Sequence, residues 1–343
     1  MDRHIVCAAC SSGIIPLFVL DIVFLRFTEY DILTQQNCST LRSNLLGCGL
    51  VNANLVLLCR WQFYLYKEEK NMDLEKNSVE RTLCIPLWSR AIAVKKLPDL
   101  LPDHDAVRIL EEMGEKKPPT IFYNLECAAL AGAVRQYDLA CEVSEYLKLH
   151  PEATIVELGA GLSCLRRQIG NTSNPWVNID LPEVVRLRER YIPSGEKERN
   201  IAADVTDHSW FASIPFDEEK GAIFLAGGVL HYLTHDDVEN LISEMARRFP
   251  GAWLVFDFVS AKGKRSGNSQ IRMTDNAVRI RFSMENAERE LPAMSEHLVK
   301  VVQKRYMDGY LLPGMRFSPL TRLYIRSKKN KYYIVHAEFG KTR

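Results

Sequence analysis

The sequence predicts an α/β protein built on a doubly wound, mostly parallel sheet of seven strands. From residue 153 onward, apolar strand-like segments alternate with helical segments, which favours parallel strands joined by right-handed crossovers. Two of the strands, Ala222–Ala226 and Ala252–Phe256, are apolar throughout, as is typical of strands covered on both faces. A glycine turn, residues 159–161, follows the first strand, where such sheets bind nucleotide-like ligands.

The elements can be placed in chain order from their periodicity and their boundary residues. Two helices, Asp103–Glu115 and Asn124–Leu149, are predicted before the sheet begins, and Pro151 ends the second one. The alternating region that follows predicts strands at 153–158, 175–180, 198–203, 221–226 and 252–258, and helices at 163–170, 182–192, 208–213 and 235–248.

The C-terminal part interrupts this alternation. Residues 260–315 are predicted to be an insertion after the fifth strand, a polar loop followed by a helical stretch from Ser283 to about Met307. Two final strands are predicted at Leu320–Ile325 and Tyr332–Phe339. Because the joint between them is too short for a parallel crossover, they are expected to form a reversed C-terminal hairpin.

The composition is that of an ordinary globular protein. The chain of 343 residues has 44 Lys and Arg against 43 Asp and Glu, and a formal charge of +1 gives no reason to expect a nucleic-acid partner. Its nine cysteines are scattered and odd in number, which predicts reduced thiols in a cytoplasmic protein rather than a disulfide framework.

Residues 1–71 differ from the rest of the chain. They hold five of the nine cysteines and two apolar runs, Gly13–Phe27 and Leu45–Leu58, which polar residues interrupt, so stable membrane insertion is not expected. Three interpretations stay open: a loosely packed helical extension, a weak membrane-associating segment, or upstream translation of a gene whose true start is Met72. The third is favoured, and it makes 72–343 the functional domain.

The glycine turn indicates the kind of cofactor. A dinucleotide fingerprint has a third glycine where this chain has Cys164, and Glu157 adds a negative charge at the strand tip that suits an ammonium group rather than a pyrophosphate. Asp180, at the end of the next strand, can accept hydrogen bonds from two ribose hydroxyls. S-adenosylmethionine, which has an amino-acid head, a sulfonium and no phosphate, fits this set.

Six segments together carry a family resemblance. From about residue 80 to 340 the chain resembles the leucine carboxyl methyltransferase-like family of class I S-adenosylmethionine-dependent methyltransferases, which includes polyketide O-methyltransferases of the tetracenomycin type. The resemblance implies the Rossmann-like class I fold. The segments that carry it are residues 82–91, 156–162, 178–186, 203–210, 224–233 and 255–258.

The resemblance implies roles for the cofactor-binding residues. Gly159 and Gly161 would contact the amino-acid part of the cofactor through backbone atoms, and Asp180 would bind the ribose. Asp204 would accept from the adenine amino group, with the backbone N–H of Val205 beside it.

The resemblance also implies partners for the charged head of the cofactor. Arg90 would pair with its carboxylate, and Arg135 would share or replace that role. Family members often have a glutamate where this chain has Gly227, so a carboxylate for the ammonium is missing unless Glu157 supplies it.

The acceptor side is less specified. His231 and Tyr232 follow the fourth strand, where ligands meet such sheets, and His231 is the nearest base for a phenolic acceptor, whereas a carboxylate acceptor needs none. The chain has no obvious cluster of metal ligands, so no metal site is predicted. Residues of the insertion are expected to set substrate choice, among them Met273, Phe282 and Met284.

These observations favour an S-adenosylmethionine-dependent O-methyltransferase that acts on a carboxylate or hydroxyl of a small molecule. An NAD(P)-dependent oxidoreductase on the same kind of sheet is an alternative, which Cys164 and Glu157 disfavour. A non-catalytic S-adenosylmethionine-binding protein is another, for which Gly227 is the one hint.

Overall fold

The structure is a computed structural model, and all the residues it describes lie in a unit that spans 75–343. Residues 1–71 and Met273 lie outside the described residues. Within the described ranges, no helix is both long enough and apolar enough to cross a membrane. The ranges are 78–118, 125–271, 279–305, 317–328 and 330–341.

A seven-stranded sheet forms the centre of the described fold, in the order β3-β2-β1-β4-β5-β7-β6. The first five strands are parallel, and β7 runs antiparallel to both of its neighbours. The predicted doubly wound, mostly parallel, Rossmann-like sheet is therefore confirmed. The strands are β1 (Thr154–Leu158), β2 (Trp176–Asp180), β3 (Glu198–Ala202), β4 (Ala222–Ala226), β5 (Trp253–Val259), β6 (Leu298–Arg305) and β7 (Tyr332–Phe339).

Helices precede the sheet and connect its strands. Two short 3₁₀ segments, His208–Ser213 and Leu230–Tyr232, flank β4. The α-helices are α1 (Ser78–Lys96), α2 (His104–Glu112), α3 (Leu125–Leu149), α4 (Leu165–Gln168), α5 (Pro182–Tyr191), α6 (His235–Arg248), α7 (Ala261–Ile271), α8 (Ala287–Met294) and α9 (Pro319–Lys328).

The core lies on both faces of the sheet. Every residue of β1 and of β4 is buried, as their continuous apolarity predicts. Because successive residues of a strand point to opposite faces, Val156 packs in the core with α6, whereas Ile155 packs in the core with α3. The loops that follow β1, β2 and β4 therefore meet at one edge of a rigid layer.

The prediction of a long helix after β5 was wrong. Residues 261–271, expected as a loop, form α7, and the stretch expected to be helical from 283 to 307 contains only the short α8 before β6 begins at Leu298. The segment Leu298–Arg305 has three valines, whose branched side chains favour a strand. The insertion thus supplies an edge strand of the sheet.

The predicted C-terminal hairpin was also wrong. Residues 320–325 lie in α9, whose first residue is Pro319 and whose Thr321 N–H is capped by Ser318 Oγ at 3.2 Å. Proline at the first helical position and serine before it are helix-start signals, which outweighed the strand-like side chains. The reversed strand β7 does exist, but it inserts between β5 and β6.

Candidate active site

The turn after β1 depends on its glycines. Gly159 and Gly161 have φ angles of +60° and +51°, which side chains rarely allow. A Cβ on Gly159 would lie 2.6 Å from Val229 Cβ, in the loop after β4, and a Cβ on Gly161 would lie 3.1 Å from Leu83 Cδ2. The turn therefore brings its backbone close to the β4 loop and to helix α1, with no room for side chains.

Asp180, at the end of β2, is hydrogen-bonded to this turn. Its Oδ2 accepts the Gly161 N–H at 2.7 Å, and its Oδ1 accepts the Leu181 N–H at 2.8 Å. Burial raises the pKa of this carboxyl, against the effect of the two N–H donors. Each carboxylate oxygen has a second lone pair, so the group can accept further bonds from a ligand.

Asp204 lies at the end of the neighbouring strand. Its exposed side chain accepts through Oδ1 from the backbone N–H and the hydroxyl of Thr206, at 2.9 and 2.8 Å. The chain just before it is tied to the end of β2, because Ala203 N–H donates to the Asp180 carbonyl at 2.9 Å. Val205 is buried in the core, and its carbonyl accepts from the Trp210 indole. The predicted adenosine contacts thus lie next to Asp180.

Glu157 is a buried acid beneath the turn. It is 5% exposed, and its Oε1 accepts the Ser163 hydroxyl at 3.3 Å. Burial raises its pKa to about 7, and the nearby Arg188 guanidinium opposes that rise. Near neutral pH, a cationic ligand group would therefore favour the ionised form of Glu157.

The Arg90 side chain contacts the backbone at the end of the glycine turn. The guanidinium is buried, and its Nη2 donates to the Leu162 carbonyl at 2.7 Å while its Nε pairs with Asp103 Oδ2 at 2.7 Å. The structure thus places this predicted cofactor residue against the turn, with two of its nitrogens bonded within the protein.

Arg135 belongs to a second cluster, at the end of β5, that includes a residue missed by sequence reasoning. Asp257 Oδ2 lies 3.5 Å from Arg135 Nη1 and 3.2 Å from His231 Nε2, and Asp257 Oδ1 accepts the Gly228 N–H at 2.6 Å. The signal for Asp257 was present in the sequence, as a single carboxylate inside an otherwise apolar strand near its carboxyl end.

His231 is oriented by this carboxylate. Because a carboxylate only accepts, the neutral imidazole carries its proton on Nε2 and presents Nδ1 as an acceptor. His231 is 9% exposed, and Nδ1 is buried with no hydrogen-bond partner among the described residues. Tyr232, next in the chain, is 44% exposed at the same edge of the sheet.

Gly227, the position where the resemblance expects glutamate, lies against α3. A Cβ there would be 2.9 Å from Leu139 Cδ1 and 3.8 Å from Arg135 Cδ. The carboxylate beside Arg135 comes instead from Asp257, on the neighbouring strand. The structure therefore provides an acid near this position from a different element.

Two of the residues expected to set substrate choice are core residues. Phe282 and Met284 are 1% and 2% exposed, and they pack in the main hydrophobic core. The Arg281 and Phe282 N–H groups donate to the His231 carbonyl and hold this segment against the loop that follows β4. In the described part of the chain, no group of three or more potential ligands is arranged to hold a metal ion.

Comparison with known proteins tests the predicted family. Residues 148–246, which run from the end of α3 into α6, match the sequence model of the leucine carboxyl methyltransferase family. The predicted family resemblance is confirmed. The matched segment contains the glycine turn, Asp180, Asp204 and the β4 loop.

Two curated relatives support the resemblance. The tetracenomycin polyketide synthesis O-methyltransferase TcmP of Streptomyces glaucescens is 31% identical over 116 residues, which are 33% of this chain and 42% of that protein. The S-adenosyl-L-methionine-dependent methyltransferase dpfgK of Gibberella zeae is 23% identical over 187 residues, 50% of this chain and 61% of that protein. The chain thus spans about half the length of the curated relatives it matches.

Solved structures are similar at lower identity. Human N-acetylserotonin methyltransferase, in complex with SAM, matches with a TM-score of 0.41 and 13% identity. The match covers 74% of this chain and 70% of the human chain. The CurJ carbon methyltransferase matches with a TM-score of 0.46 and 11% identity. The match covers 76% of this chain and 67% of the CurJ chain. The fold assignment itself rests on the strand order of the sheet.

Proposed function

We propose that this protein is an S-adenosylmethionine-dependent O-methyltransferase that methylates a carboxylate or hydroxyl of a small molecule. The observation that carries the proposal is the joint placement of the glycine turn, Asp180 and Glu157 at one edge of the sheet. The names of the two curated relatives, both methyltransferases, support the same reaction class.

The residues present fit this cofactor. A Cβ on Gly159 would overlap Val229, so glycine is required there and the turn carries no side chain of its own at this position, while Asp180 retains lone pairs for ribose hydroxyls. Glu157 would favour the ammonium group, and Asp204 with the Val205 N–H would receive the adenine.

The charged head has two candidate cations. Arg135 is 23% exposed at its side chain and lies beside the β4 loop, so it is the better placed to meet a carboxylate. Arg90 is more fully committed to Asp103 and Leu162, and we assign it chiefly the support of the turn.

When bound, the cofactor supplies an electrophilic methyl group whose bond to sulfur breaks as the acceptor oxygen donates an electron pair, leaving a thioether. The protein contributes mainly by holding the acceptor oxygen in line, which can be worth roughly 7–11 kcal/mol in good intramolecular models. For a phenolic acceptor, His231 Nδ1 would take the proton while Asp257 stabilises the imidazolium. A carboxylate acceptor is already ionised and needs no base.

Calorimetry with S-adenosylhomocysteine and with NAD tests the cofactor. We expect binding of the former, and Asp180→Ala should weaken it at least tenfold, because it removes two charge-assisted bonds to the ribose. Asp207→Ala is the matched control, since Asp207 caps a 3₁₀ segment through the Ser209 N–H at 3.1 Å. If the protein gives a heat of binding with NAD but none with S-adenosylhomocysteine, an oxidoreductase is favoured and the proposal fails.

A second experiment separates an enzyme from a binding protein. Carboxylic acids and phenols are screened for transfer of a labelled methyl group in the presence of S-adenosylmethionine. We expect at least one class to be methylated, and cofactor binding without any turnover across the screen would support a non-catalytic role. We also propose a cytoplasmic location, which is supported by the reduced state of Cys84, Cys127, Cys141 and Cys164.

A further inference from the structure

Lys328, the last residue of α9, holds its ammonium between two aromatic rings. Nζ lies 5.0 Å from the centre of the Tyr324 ring and 4.8 Å from the centre of the Tyr332 ring. Nζ also donates to the Tyr332 hydroxyl at 3.5 Å. Two aromatic faces at this distance attract a cation and fix its position.

This cation lacks a counter-ion in the described part of the chain. No ion pair joins Nζ to a carboxylate of the described ranges, and the titratable groups that act on it are the Lys331 ammonium and the Cys127 thiol. Burial lowers its pKa to about 8, so the ammonium still predominates at neutral pH. A partly buried charge without a counter-ion is costly, and an anionic ligand would reduce that cost.

One of the two rings, Tyr332, lies on the same side of the sheet as the Asp257 cluster. Tyr332 is paired with Val259, and Val259 is two residues beyond Asp257 in β5. Because opposite residues in antiparallel strands, and residues two apart in one strand, point to the same face, Tyr332 and Asp257 share the face that α3 covers. Lys328 therefore stands at the edge of the sheet where methyl transfer is proposed.

An open groove borders Tyr324, one of the two rings that hold this cation. It has a volume of about 380 Å³, and Tyr324 is one of its walls. Two leucines of α9 in the wall, Leu320 and Leu323, are 66% and 64% exposed, which gives the groove an apolar side. The residues that line it are Cys127, Leu320, Leu323, Tyr324 and Ser327.

We propose that Lys328, held between Tyr324 and Tyr332, is the anion-recognising residue of the acceptor site, and that the acceptor is a flat, apolar molecule with an acidic group. The inference rests on the proposed methyltransferase function and adds the substrate class. The apolar groove wall and the rings accommodate the flat body, and the ammonium binds the acid.

The acidic group of the acceptor binds the protein, and a different oxygen of the acceptor receives the methyl group. Cys127, which borders the groove, precedes Arg135 by eight residues of α3, a separation of about 12 Å along the helix. An acceptor that reaches both sites therefore places its acid near Lys328 and a separate oxygen near His231.

Direct binding tests the inference without turnover. The full chain is saturated with S-adenosylhomocysteine and titrated with 2-naphthoate and with 2-naphthamide, which share a ring system but differ in charge. We expect the wild-type protein to bind the acid at least tenfold more tightly than the amide. Lys328→Gln should remove this preference by weakening the acid alone, and Lys328→Arg should retain it.

The controls separate this inference from the proposed function. Arg326→Gln removes an exposed charge from the same helix and should leave both affinities unchanged. Lys328→Met, which keeps the length and apolar body of the side chain, repeats the test if melting shows that Lys328→Gln is poorly folded.

Two results would overturn the inference. The first is a wild-type protein that binds the acid and the amide with equal affinity, or binds neither. The second is a preference for the acid that survives in a folded Lys328→Gln or Lys328→Met variant. Failure of the proposed function is seen separately, as an absence of S-adenosylhomocysteine binding in the wild-type protein.

Discussion

Asp257 Oδ2 lies 3.2 Å from His231 Nε2, and the other oxygen of the same carboxylate accepts the Gly228 N–H at 2.6 Å. One buried acid thus orients an imidazole from the loop after β4 and fixes the backbone of that loop. Because Arg135 also lies 3.5 Å from this carboxylate, the acid links α3, the β4 loop and β5 at the edge where the acceptor is expected.

The first prediction concerns His231 as a base. His231→Gln should lower kcat about 10²-fold or more for a phenolic acceptor, because proton removal by a positioned base is typically worth that much. For a carboxylate acceptor, which has no proton to lose, the decrease should stay below tenfold. The two rates are measured on the same protein, so that a general loss of folding lowers both. Equal losses for the two acceptors would remove His231 from proton transfer.

The second prediction concerns the proton on Glu157. Since its pKa is raised to about 7, the group is mostly protonated at pH 6, and the cofactor's ammonium should favour its ionised form. Binding of S-adenosylhomocysteine at pH 6 should therefore release between about 0.5 and 1 proton, and affinity should rise with pH up to about 7. Calorimetry in buffers of different ionisation enthalpy measures the release.

Glu157→Gln is the control for this linkage. The amide cannot ionise, so binding should proceed without that proton and with a flatter dependence on pH. The charged groups that act on Glu157 are Arg188, Glu198 and Arg90, and all three remain in the variant. A release that persists in Glu157→Gln would assign the proton to another group.

The third prediction separates backbone strain from steric overlap in the glycine turn. Gly159 and Gly170 have nearly the same φ, +60° and +64°, but a Cβ on Gly170 meets nothing within 4 Å. Gly170→Ala should cost about 1–2 kcal/mol of the free energy of unfolding, the usual strain of this conformation. Gly159→Ala should cost about 1–3 kcal/mol more, because its Cβ overlaps Val229. Urea denaturation measures both, and equal losses would contradict the steric argument.

The fourth prediction concerns the buried acid Asp138 in α3. It is 1% exposed, and its Oδ2 has no hydrogen-bond partner among the described residues. Burial, together with the negative charge of Glu142, raises its pKa to about 8. Between about pH 4 and pH 8 the native state therefore binds a proton that the unfolded state has already lost.

The sign of the pH effect follows from this difference. Stability should fall as pH rises from 6 through 8, with a contribution from Asp138 of up to about 3 kcal/mol. Asp138→Asn should remove this part of the decrease, so that the variant gains stability relative to wild type between pH 6 and pH 9. Urea denaturation at both pH values measures the difference. If the difference in free energy of unfolding between the wild-type protein and Asp138→Asn is the same at both pH values, the raised pKa is refuted.

The C-terminal region shows where sequence patterns gave the wrong element. Residues 320–325 include threonine, tyrosine and isoleucine, which favour strands, but Ser318 and Pro319 begin a helix there. The stretch 298–305 was expected to continue a helix from Ser283, although pairing with β7 makes it the edge strand. Strand pairing depends on a partner distant in the chain, so local patterns alone did not fix either element.

The sequence by itself determined the parallel core, the glycine turn and the acids at the strand ends, because these depend on local signals: continuous apolarity, glycine where φ must be positive, and a polar residue at the end of a buried strand. Only the tertiary structure brought Asp257 to His231 and Arg135, and Lys328 between Tyr324 and Tyr332. Those contacts join residues from strands and helices far apart in the chain, and the order in which strands pair is what places them together.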